Sequence, residues 1–445
     1  MKHSIYRKYS AALLSGLLLI TGGCSAKAEE AEKTEETEKT ETAAETTAVK
    51  ETNFTAISNT ANVTSNGVID AADLFTERDL QQNADTSAAV TYTLKDGETI
   101  TISDEGVYVI HGSANNAQIR VEAEDSDKVQ IVLDGVTMTN ESTPCIYVIN
   151  ADKVFVTTTE STNTLTVSGT FTADGDTNTD AVIFSRDDIT LNGLGTLNIT
   201  STDNGISGKD DIKITGGTIN ISCVSDAIEA NDSIRAADGT INIEKCNDGL
   251  HAENDEDNST GYIYICGGTF DIDADDDAIH GTTVIQIDGG TFTLSAQEAI
   301  EATYIQLNGG TIGIQAYDDG INASYKSSSY TPTIEINGGD ITVNMGPGDT
   351  DAIDSNGNLY INGGTLNITA QSPFDYDGNA EYNGGTMIVN GTETTQITNQ
   401  FGGMGGGMGG QMPGGEMPGG EMPGGMGGQG GPGGQGGWGG PGGGH

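Results

Sequence analysis

The sequence predicts an all-β protein, a right-handed parallel β-helix of about ten or more coils of about 21 residues each, with disordered termini. Two observations predict this fold. A Gly-Gly or Asp-Gly turn followed by Thr or Asp recurs every 20–29 residues from Gly217 to Gly385. Short segments with an apolar residue at every second position, such as Ile219 and Ile221, flank each turn. One coil cannot bury its own apolar side chains, whereas a stack of coils buries them in a continuous core.

Each coil consists of three short strands in this interpretation. The competing folds are a β-sandwich and a propeller, but a propeller blade needs about 40–50 residues, which is about twice the observed repeat. Some intervals between successive glycine turns are longer than 21 residues, and these predict insertions at 253–260, 325–331 and 347–350. The β-helix is expected over residues 61–398, with residues 61–128 as an N-terminal cap in which 94–110 cover the open end.

The two ends of the chain have different compositions from the repeat. Residues 1–24 combine a basic start with an apolar run, Ala11–Ile20, that is too short to cross a bilayer and is typical of a signal peptide. The run ends in Thr21-Gly22-Gly23-Cys24, which predicts a lipidated Cys24 and an extracellular protein anchored to the membrane by lipid; the alternative is an ordinary secretory signal. Residues 25–60 are expected to form a Glu/Thr-rich tether, and residues 399–445 a disordered tail rich in Gly, Met and Pro.

The composition restricts the partners. The chain has 18 Lys and Arg against 65 Asp and Glu, a net charge of −47. Such a surface repels phosphate, so nucleic acid and an anionic membrane surface are excluded as partners, and cations are favoured, calcium above all. We expect a monomer. The four Cys after Cys24 form no Cys-x-x-Cys motif, so free thiols are expected, with a Cys223–Cys246 bridge as the alternative.

The third strand of each coil has an acidic or polar residue at its first position and another three residues later. Stacked coils would place these pairs in two columns, where carboxylates about 5 Å apart repel one another unless a cation neutralises them. Calcium accepts 6–8 oxygen ligands, so the sequence predicts calcium here. The alternative is that Asp and Asn accept backbone N–H groups in turns. The expected ligands, including acids of the adjoining turns, are Asp226, Glu229, Asp248, Asp255, Asp257, Asp275, Asp276, Asp277, Glu298, Glu301, Asp319, Asp351 and Asp354.

Tyrosines close to this strip predict stacking faces for sugar rings. Tyr264 and Tyr360 are expected to share one outward column, and the remaining candidates lie nearby in the repeat; the expected carbohydrate-binding residues are Tyr264, Tyr304, Tyr317, Tyr360 and Tyr376.

The lipoprotein-like start, the Asp277-Ala278-Ile279-His280 and Asn308-Gly309-Gly310-Thr311 type of repeat, and the Gly/Met-rich tail together resemble a family of bacterial surface carbohydrate-binding-domain lipoproteins of cellulolytic clostridia. The resemblance covers about residues 91–398. It implies a pectate-lyase-like parallel β-helix that binds calcium and a polysaccharide, cellulose-like or polygalacturonate-like, without established catalysis. No individual ligand is carried over from the family, because the repeat leaves the register open.

We therefore expect a non-catalytic, calcium-dependent surface protein that binds plant-type or uronate-containing polysaccharide. The first alternative is a β-helix lyase or glycoside hydrolase acting on pectin. A lyase usually needs an Arg or Lys base beside calcium, and after Lys245 the chain has only Lys326 of these two residue types. A hydrolase needs paired carboxylates, for which Asp276 and Asp277 with His280 are candidates. The second alternative is a structural adhesin without a sugar ligand.

Overall fold

The computed structural model describes residues 67–254, 257–348 and 350–399. The signal peptide, Cys24, the tether, Asp255 and almost all of the tail lie outside these ranges. Within them the chain forms 34 β-strands, and no α-helix is present in the described residues. The strands stack coil upon coil into three faces. Apart from β33 and β34, the strands within each face pair in parallel. The predicted parallel β-helix is confirmed.

The first face is named the strap face, because residues 67–89 lie across it. It consists of β1 (Val90–Thr93), the first half of β3 (Gly106–Asn115) and of β5 (Lys128–Asn140), β7 (Lys153–Thr158), β10 (Ile189–Gly193), β13 (Asp211–Ile214), β16 (Ser233–Ala236), β19 (Tyr262–Ile265), the second half of β21 (Asp277–Ile287) and of β23 (Glu298–Leu307), β26 (Thr333–Ile336), β29 (Asn358–Ile361) and β32 (Ala380–Tyr382).

The second face, the acidic face, carries the predicted acid pairs. It consists of β2 (Thr99–Ile102), β4 (Gln118–Glu122), β6 (Ile146–Asn150), β9 (Ala181–Ser185), β12 (Asn204–Gly208), β15 (Ile228–Ala230), β18 (Leu250–Ala252), the first halves of β21 and β23, β25 (Asp319–Ala323), β28 (Asp351–Ser355) and β31 (Asp375–Tyr376).

The third face, the groove face, starts from the second halves of β3 and β5. It continues through β8 (Thr162–Val167), β11 (Thr196–Thr200), β14 (Thr218–Ser222), β17 (Thr240–Glu244), β20 (Thr269–Asp273), β22 (Thr291–Ala296), β24 (Thr311–Ala316), β27 (Asp340–Met345), β30 (Thr365–Thr369) and β33 (Thr386–Val389), and ends with the antiparallel β34 (Thr392–Thr394).

The core is a set of stacked aliphatic columns inside the three faces. On the acidic face one inward column runs through equivalent positions of eight consecutive coils, and each member is fully buried: Ile183, Ile206, Ile228, Leu250, Ile279, Ile300, Ile321 and Ile353. Burying one such side chain contributes about 1.5–3 kcal/mol. Alternation along each strand turns the intervening residues outward, which fixes the positions of the polar columns.

Each of the two positions in the repeated Gly-Gly turn requires glycine for a different physical reason. Gly310 adopts φ +94°, a left-handed conformation that side chains other than Gly rarely adopt. A Cβ on Gly309 would stand 2.5 Å from the carbonyl oxygen of Asp288 in the coil below. The first glycine therefore permits close stacking of coils, and the second permits the turn into the groove face.

The segment that the sequence assigned to an N-terminal cap is built differently. Residues 94–110 are part of the coils, since β2 and β3 pair in parallel with β4 and β5. Residues 67–89, which we call the strap, run along the outside of the strap face. The Ile69 amide donates to Gln286 Oε1 at 2.8 Å, and the Arg78 guanidinium lies 4.4 Å from the ring centre of Phe155. The strap thus crosses several coils in the direction opposite to their order in the chain.

Candidate functional site

Two outward columns of polar residues run along the acidic face. The first column holds the first residue of each predicted pair: Asn204, Asp226, Asp248, Asp277, Glu298, Asp319 and Asp351. The second column holds the residue three positions later, and it continues into the next coil with Asp375: Ser207, Glu229, His251, His280, Glu301, Asn322, Asp354 and Asp375. The structure therefore brings the predicted pairs together on one face of the β-helix.

Part of the first column satisfies backbone groups, as the alternative interpretation expected. Asp226 N donates to Asn204 Oδ1 at 2.8 Å, and Asp277 N donates to Asp248 Oδ1 at 3.0 Å. Asp351 N approaches Asp319 Oδ1 at 3.3 Å in the same way. Asp248 and Asp319 each use one carboxylate oxygen to hold the next coil and keep a second oxygen for another partner, whereas Asn204 uses its only side-chain oxygen.

Several predicted ligands do not join a cluster. Asp257 is exposed in a turn, where it accepts hydrogen bonds from Ser259, and Asp275 and Asp276 are exposed before β21. Glu229 is already partnered, since Asn204 and Ser207 each donate to its Oε2 at 2.9 Å. The structure therefore does not bring Asp257, Asp275 and Asp276 into a ligand cluster with the other predicted acids.

The C-terminal half of the acidic face contains a cluster whose potential metal-ligand atoms are all oxygens. Asn322 Nδ2 donates to Glu298 Oε2 at 2.9 Å. The Asn322 side chain is 8% exposed, yet its Oδ1 is buried without a hydrogen-bond partner among the described residues. Leaving a buried hydrogen-bond acceptor without a partner costs free energy of folding. This oxygen therefore favours binding of a cation, which accepts its electron pair. We call Glu298, Glu301, Asp319, Asn322 and Asp354 the oxygen cluster.

Three carboxyl groups of this cluster, Glu298, Asp319 and Asp354, hold their protons unusually strongly. Burial, together with the charge of Glu301, raises the pKa of Glu298 to about 7. Burial, then the charges of Asp354 and Glu298, raises the pKa of Asp319 to about 8. Burial and the charge of Asp375 raise the pKa of Asp354 to about 6. A divalent cation would remove the mutual repulsion that raises these pKa values.

The residue types of this cluster suit calcium, but its carboxylates would have to move together to share one ion, because no three of them, among the described residues, lie within 4.8 Å of one another. Calcium takes oxygen ligands from carboxylates and from side-chain amides in flexible geometry, and the oxygen cluster supplies both kinds, including the unpartnered Asn322 Oδ1.

The predicted tyrosines do not form one surface. Tyr264 and Tyr360 do share an outward column of the strap face, separated by Gln286, Gln306 and Glu335. However, Tyr264 is only 4% exposed, because the strap covers it. Its ring lies 6.4 Å from that of Phe75, and its hydroxyl donates to Asp288 at 2.9 Å. The expectation of an exposed sugar-stacking face is therefore wrong for Tyr264.

The other predicted tyrosines are more accessible but lie apart. Tyr304 is half-buried beside Tyr330, with ring centres 5.8 Å apart. Tyr360 is half-buried on β29, Tyr317 is exposed between β24 and β25, and Tyr376 is half-buried on β31 at the end of the acidic face.

Sequence reasoning missed a groove of about 610 Å³ on the groove face. Its floor is a ladder of amides: Asn220 Nδ2 donates to Asn198 Oδ1, and Asn242 Nδ2 to Asn220 Oδ1, each at 2.7 Å. Hydroxyl and carboxylate side chains line it further; they are Thr200, Ser222, Glu244, Asp271 and Asp273. The signal was present in the repeated strands TLNIT, TINIS and TINIE, whose central Asn points outward.

The four cysteines in the described residues are free thiols, so the alternative of a Cys223–Cys246 bridge is not realised. Within the same ranges, no helix is long and apolar enough to pass through a bilayer.

A family model described as "Carbohydrate-binding domain-containing protein" matches residues 96–349 and 298–400. The first range alone is more than half of the chain. The chain belongs to this family. It is similar to a carbohydrate-binding domain-containing protein of Acetivibrio thermocellus, at 34% identity over 122 residues, which are 26% of this chain and 43% of the relative. The chain thus spans less than half the length of that curated relative.

A solved structure is also similar in sequence. It is described as the polysaccharide lyase-like protein from C. thermocellum, in a gadolinium derivative. The similarity has 29% identity and a TM-score of 0.43, and it covers 50% of this chain and 92% of that chain.

Proposed function

We propose that this protein is a non-catalytic, calcium-dependent polysaccharide-binding protein, held at the cell surface by a lipid on Cys24. Membership of a carbohydrate-binding domain family supports the class of ligand. The observation that carries the calcium dependence is the oxygen cluster, in which the buried Asn322 Oδ1 has no partner among the described residues. The lipid anchor rests on the Gly22-Gly23-Cys24 motif.

Calcium would be held by the oxygen cluster, with Glu298, Asp319 and Asp354 as carboxylate ligands and Asn322 as the amide ligand. When bound, it supplies positive charge that can bridge to uronate carboxylates. This matters because the chain carries a net charge of −47, which repels a polyanionic glycan. Uronate-containing and plant-type polysaccharides are therefore the proposed ligands.

The groove face supplies the contacts for sugar hydroxyls in this proposal. Each side-chain amide offers both donors and an acceptor, which matches the mixed donor and acceptor character of a hydroxyl. Asn198, Asn220 and Asn242 repeat at the spacing of the coils, about 4.8 Å, so a chain of repeating sugar units meets the same group at each step.

A lyase is the second candidate function, and the position of Lys326 favours it. Lys326 Nζ lies 2.9 Å from Glu301 Oε2, beside the oxygen cluster, and its side chain is 38% exposed. Burial by itself lowers the pKa of Lys326, but the hydrogen bond and charge of Glu301 outweigh it and raise the pKa above its usual value. A lysine that stays protonated at neutral pH is a poor general base, so we favour binding over catalysis.

Retention on insoluble polygalacturonate and cellulose, measured with calcium and with EDTA, tests the proposal. We expect retention with calcium and release by EDTA. Absence of retention on any glycan would support the structural adhesin. Release of unsaturated or reducing sugar from polygalacturonate would instead identify an enzyme, and Lys326→Met would then show whether Lys326 is its base.

The variant Asp319→Asn separates calcium binding from folding. The amide keeps the shape of the side chain and an Oδ1 for Asp351 N, but removes a charge from the cluster. Above about pH 8, where Asp319 is ionised, we expect the melting temperature in EDTA to rise, because repulsion is relieved, and the calcium-induced increase to be lost. Asp340→Asn, at an exposed position on β27, is the matched control and should leave both values unchanged.

A further inference from the structure

Two histidines occupy neighbouring positions of the second column on the acidic face. His251 on β18 pairs with His280 on β21, and their ring centres are 4.7 Å apart. His280 is 8% exposed, and His251 is half-buried. Two of the five histidines of the chain therefore meet at one point of a surface whose other outward residues nearby supply mainly oxygen.

Carboxylates surround both rings. His251 Nδ1 lies 2.8 Å from Asp226 Oδ2 and 3.2 Å from Asp248 Oδ2, and its Nε2 lies 3.1 Å from Glu253. His280 Nδ1 lies 2.5 Å from Asp277 Oδ2. The two histidines and the carboxylates around them differ from the oxygen cluster, because they combine imidazole nitrogen with carboxylate oxygen.

The donor atoms are close enough to share one ion. One ligand atom each from Asp248, His251 and His280 lie within 4.8 Å of one another. A tetrahedral zinc site needs ligand distances of about 2.0–2.2 Å from the ion, so these side chains would have to rotate towards a common centre. Nitrogen ligands favour zinc and neighbouring first-row ions, whereas calcium prefers oxygen alone.

We propose that Asp248, His251 and His280 form a binding site for a divalent first-row transition ion of the zinc class, separate from the oxygen cluster. With Nδ1 of His280 held by Asp277, the ion binds Nε2, and Asp277 acts as the positioning carboxylate that fixes the ring. Three protein ligands leave the fourth position of the tetrahedron to water or to an oxygen of a ligand.

The site has a structural consequence. Asp248 and His251 come from one coil and His280 from the next, so the ion joins two consecutive coils. Glu301 of the oxygen cluster lies at the other nitrogen of the same ring, with its Oε2 3.4 Å from His280 Nδ1. The ion therefore neutralises part of the acidic face at its centre, where calcium ligands of the oxygen cluster begin.

Zinc binding by the full chain, after removal of metals with EDTA, tests the proposal. The probes are Zn²⁺, in competition with a chromophoric chelator, and Co²⁺, whose visible spectrum reports tetrahedral coordination. The double variant His251→Gln/His280→Gln removes both imidazoles. The matched control is His111→Gln, because His111 is a half-buried histidine on β3 that bonds Thr93 and lies outside the site. We expect one tight ion in the wild type and the control, and at least about a tenfold loss of affinity in the double variant.

Two results would overturn the proposal: unchanged zinc affinity in the double variant, which would place the ion at other residues, or displacement of zinc by an equal concentration of calcium. If the double variant does not fold, protection of His251 and His280 from histidine-modifying reagent by zinc, read by mass spectrometry, answers the same question in the wild type. Asp319→Asn should leave zinc binding intact, so failure here and failure of the calcium proposal are distinguishable.

Discussion

Asp79 in the strap and Lys213 on β13 form a buried ion pair, with Oδ2 and Nζ 3.4 Å apart, although 134 residues separate them in the chain. Lys153 completes the arrangement at 3.3 Å from Asp79 Oδ1. Burial alone raises the pKa of Asp79, but the Thr76 amide and the two lysines outweigh it and hold the pKa at about 2. The strap is thus attached to the β-helix by a fully buried carboxylate.

Replacing this carboxylate should destabilise the protein strongly. Asp79→Ala leaves the buried Lys213 without its counter-ion and leaves Lys153 with Asp188 alone, which costs about 3–5 kcal/mol of unfolding free energy. Urea denaturation measures the loss. Asp73→Ala, an exposed acid of the same strap, is the control and should change the unfolding free energy by less than about 0.5 kcal/mol. Equal losses in the two variants would show that Asp79 does not anchor the strap.

Metal-free protein should lose stability as the pH rises. Glu298, Asp319, Asp354 and Asp248 all have raised pKa values, from about 6 to about 8, because burial disfavours their charged forms and neighbouring acids add to this. The folded state therefore binds more protons than the unfolded chain, whose carboxyls ionise at about pH 4. His251, whose pKa is raised to about 9 despite burial by its bond to Asp226, acts in the same direction at higher pH.

The melting temperature in EDTA should accordingly fall between about pH 5 and about pH 9. With calcium the fall should be smaller, because the ion binds the ionised carboxylates, so the stabilisation by calcium should grow with pH. Differential scanning calorimetry at constant ionic strength measures both curves. A calcium effect that does not depend on pH would contradict the assignment of these carboxylates as ligands.

The aromatic stack in the core should be sensitive to truncation. Phe270 and Phe292 occupy consecutive coils of the groove face, with ring centres 4.8 Å apart and planes inclined by 6°, and both are almost fully buried. Phe292→Ala should cost about 3–5 kcal/mol, from lost burial and the cavity left behind. Phe292→Leu, which fills more of the volume, should cost clearly less. Similar losses for both variants in urea denaturation would indicate that the site collapses after truncation.

The amide ladder should carry glycan affinity. Asn220→Ala removes the central amide of the groove and should weaken affinity for the polysaccharide by about tenfold. A good hydrogen bond is worth about 0.5–1.5 kcal/mol, and the two adjoining amides also lose their partner. Affinity electrophoresis measures the change. Asn367→Ala is the matched control, because Asn367 lies in the same outward column but outside the groove. Equal weakening by both variants would exclude the groove as the binding surface.

The periodicity of the sequence was sufficient to predict the coils and the two polar columns. An Asp-Ala-Ile unit such as Asp277-Ala278-Ile279 buries its Ile, and pleat alternation then turns the residue after it outward. The residues that lie above and below His280 in the adjacent coils therefore follow from the repeat length. Asp275 and Asp276 do not join the columns because they precede the strand, in a segment whose amides bond the coil below while the side chains stay exposed.

The burial of Tyr264 depends on tertiary structure alone. Its column was correctly predicted from the repeat, but the strap that covers it has no periodicity and lies far away in the chain, with Phe75 as its contact. The unpartnered Asn322 Oδ1 was likewise out of reach, because residue type fixes only which groups can donate or accept, whereas side-chain rotation decides which of them find a partner.

The sequence by itself determined the β-helix, the inward aliphatic columns and the acidic composition of one face, because strand alternation and coil stacking convert residue order directly into position. Only the tertiary structure decided which outward groups are covered by the strap, which carboxylates are buried enough to keep their protons, and where a groove opens. These depend on contacts between segments distant in the chain, whose free energy no local pattern of residues encodes.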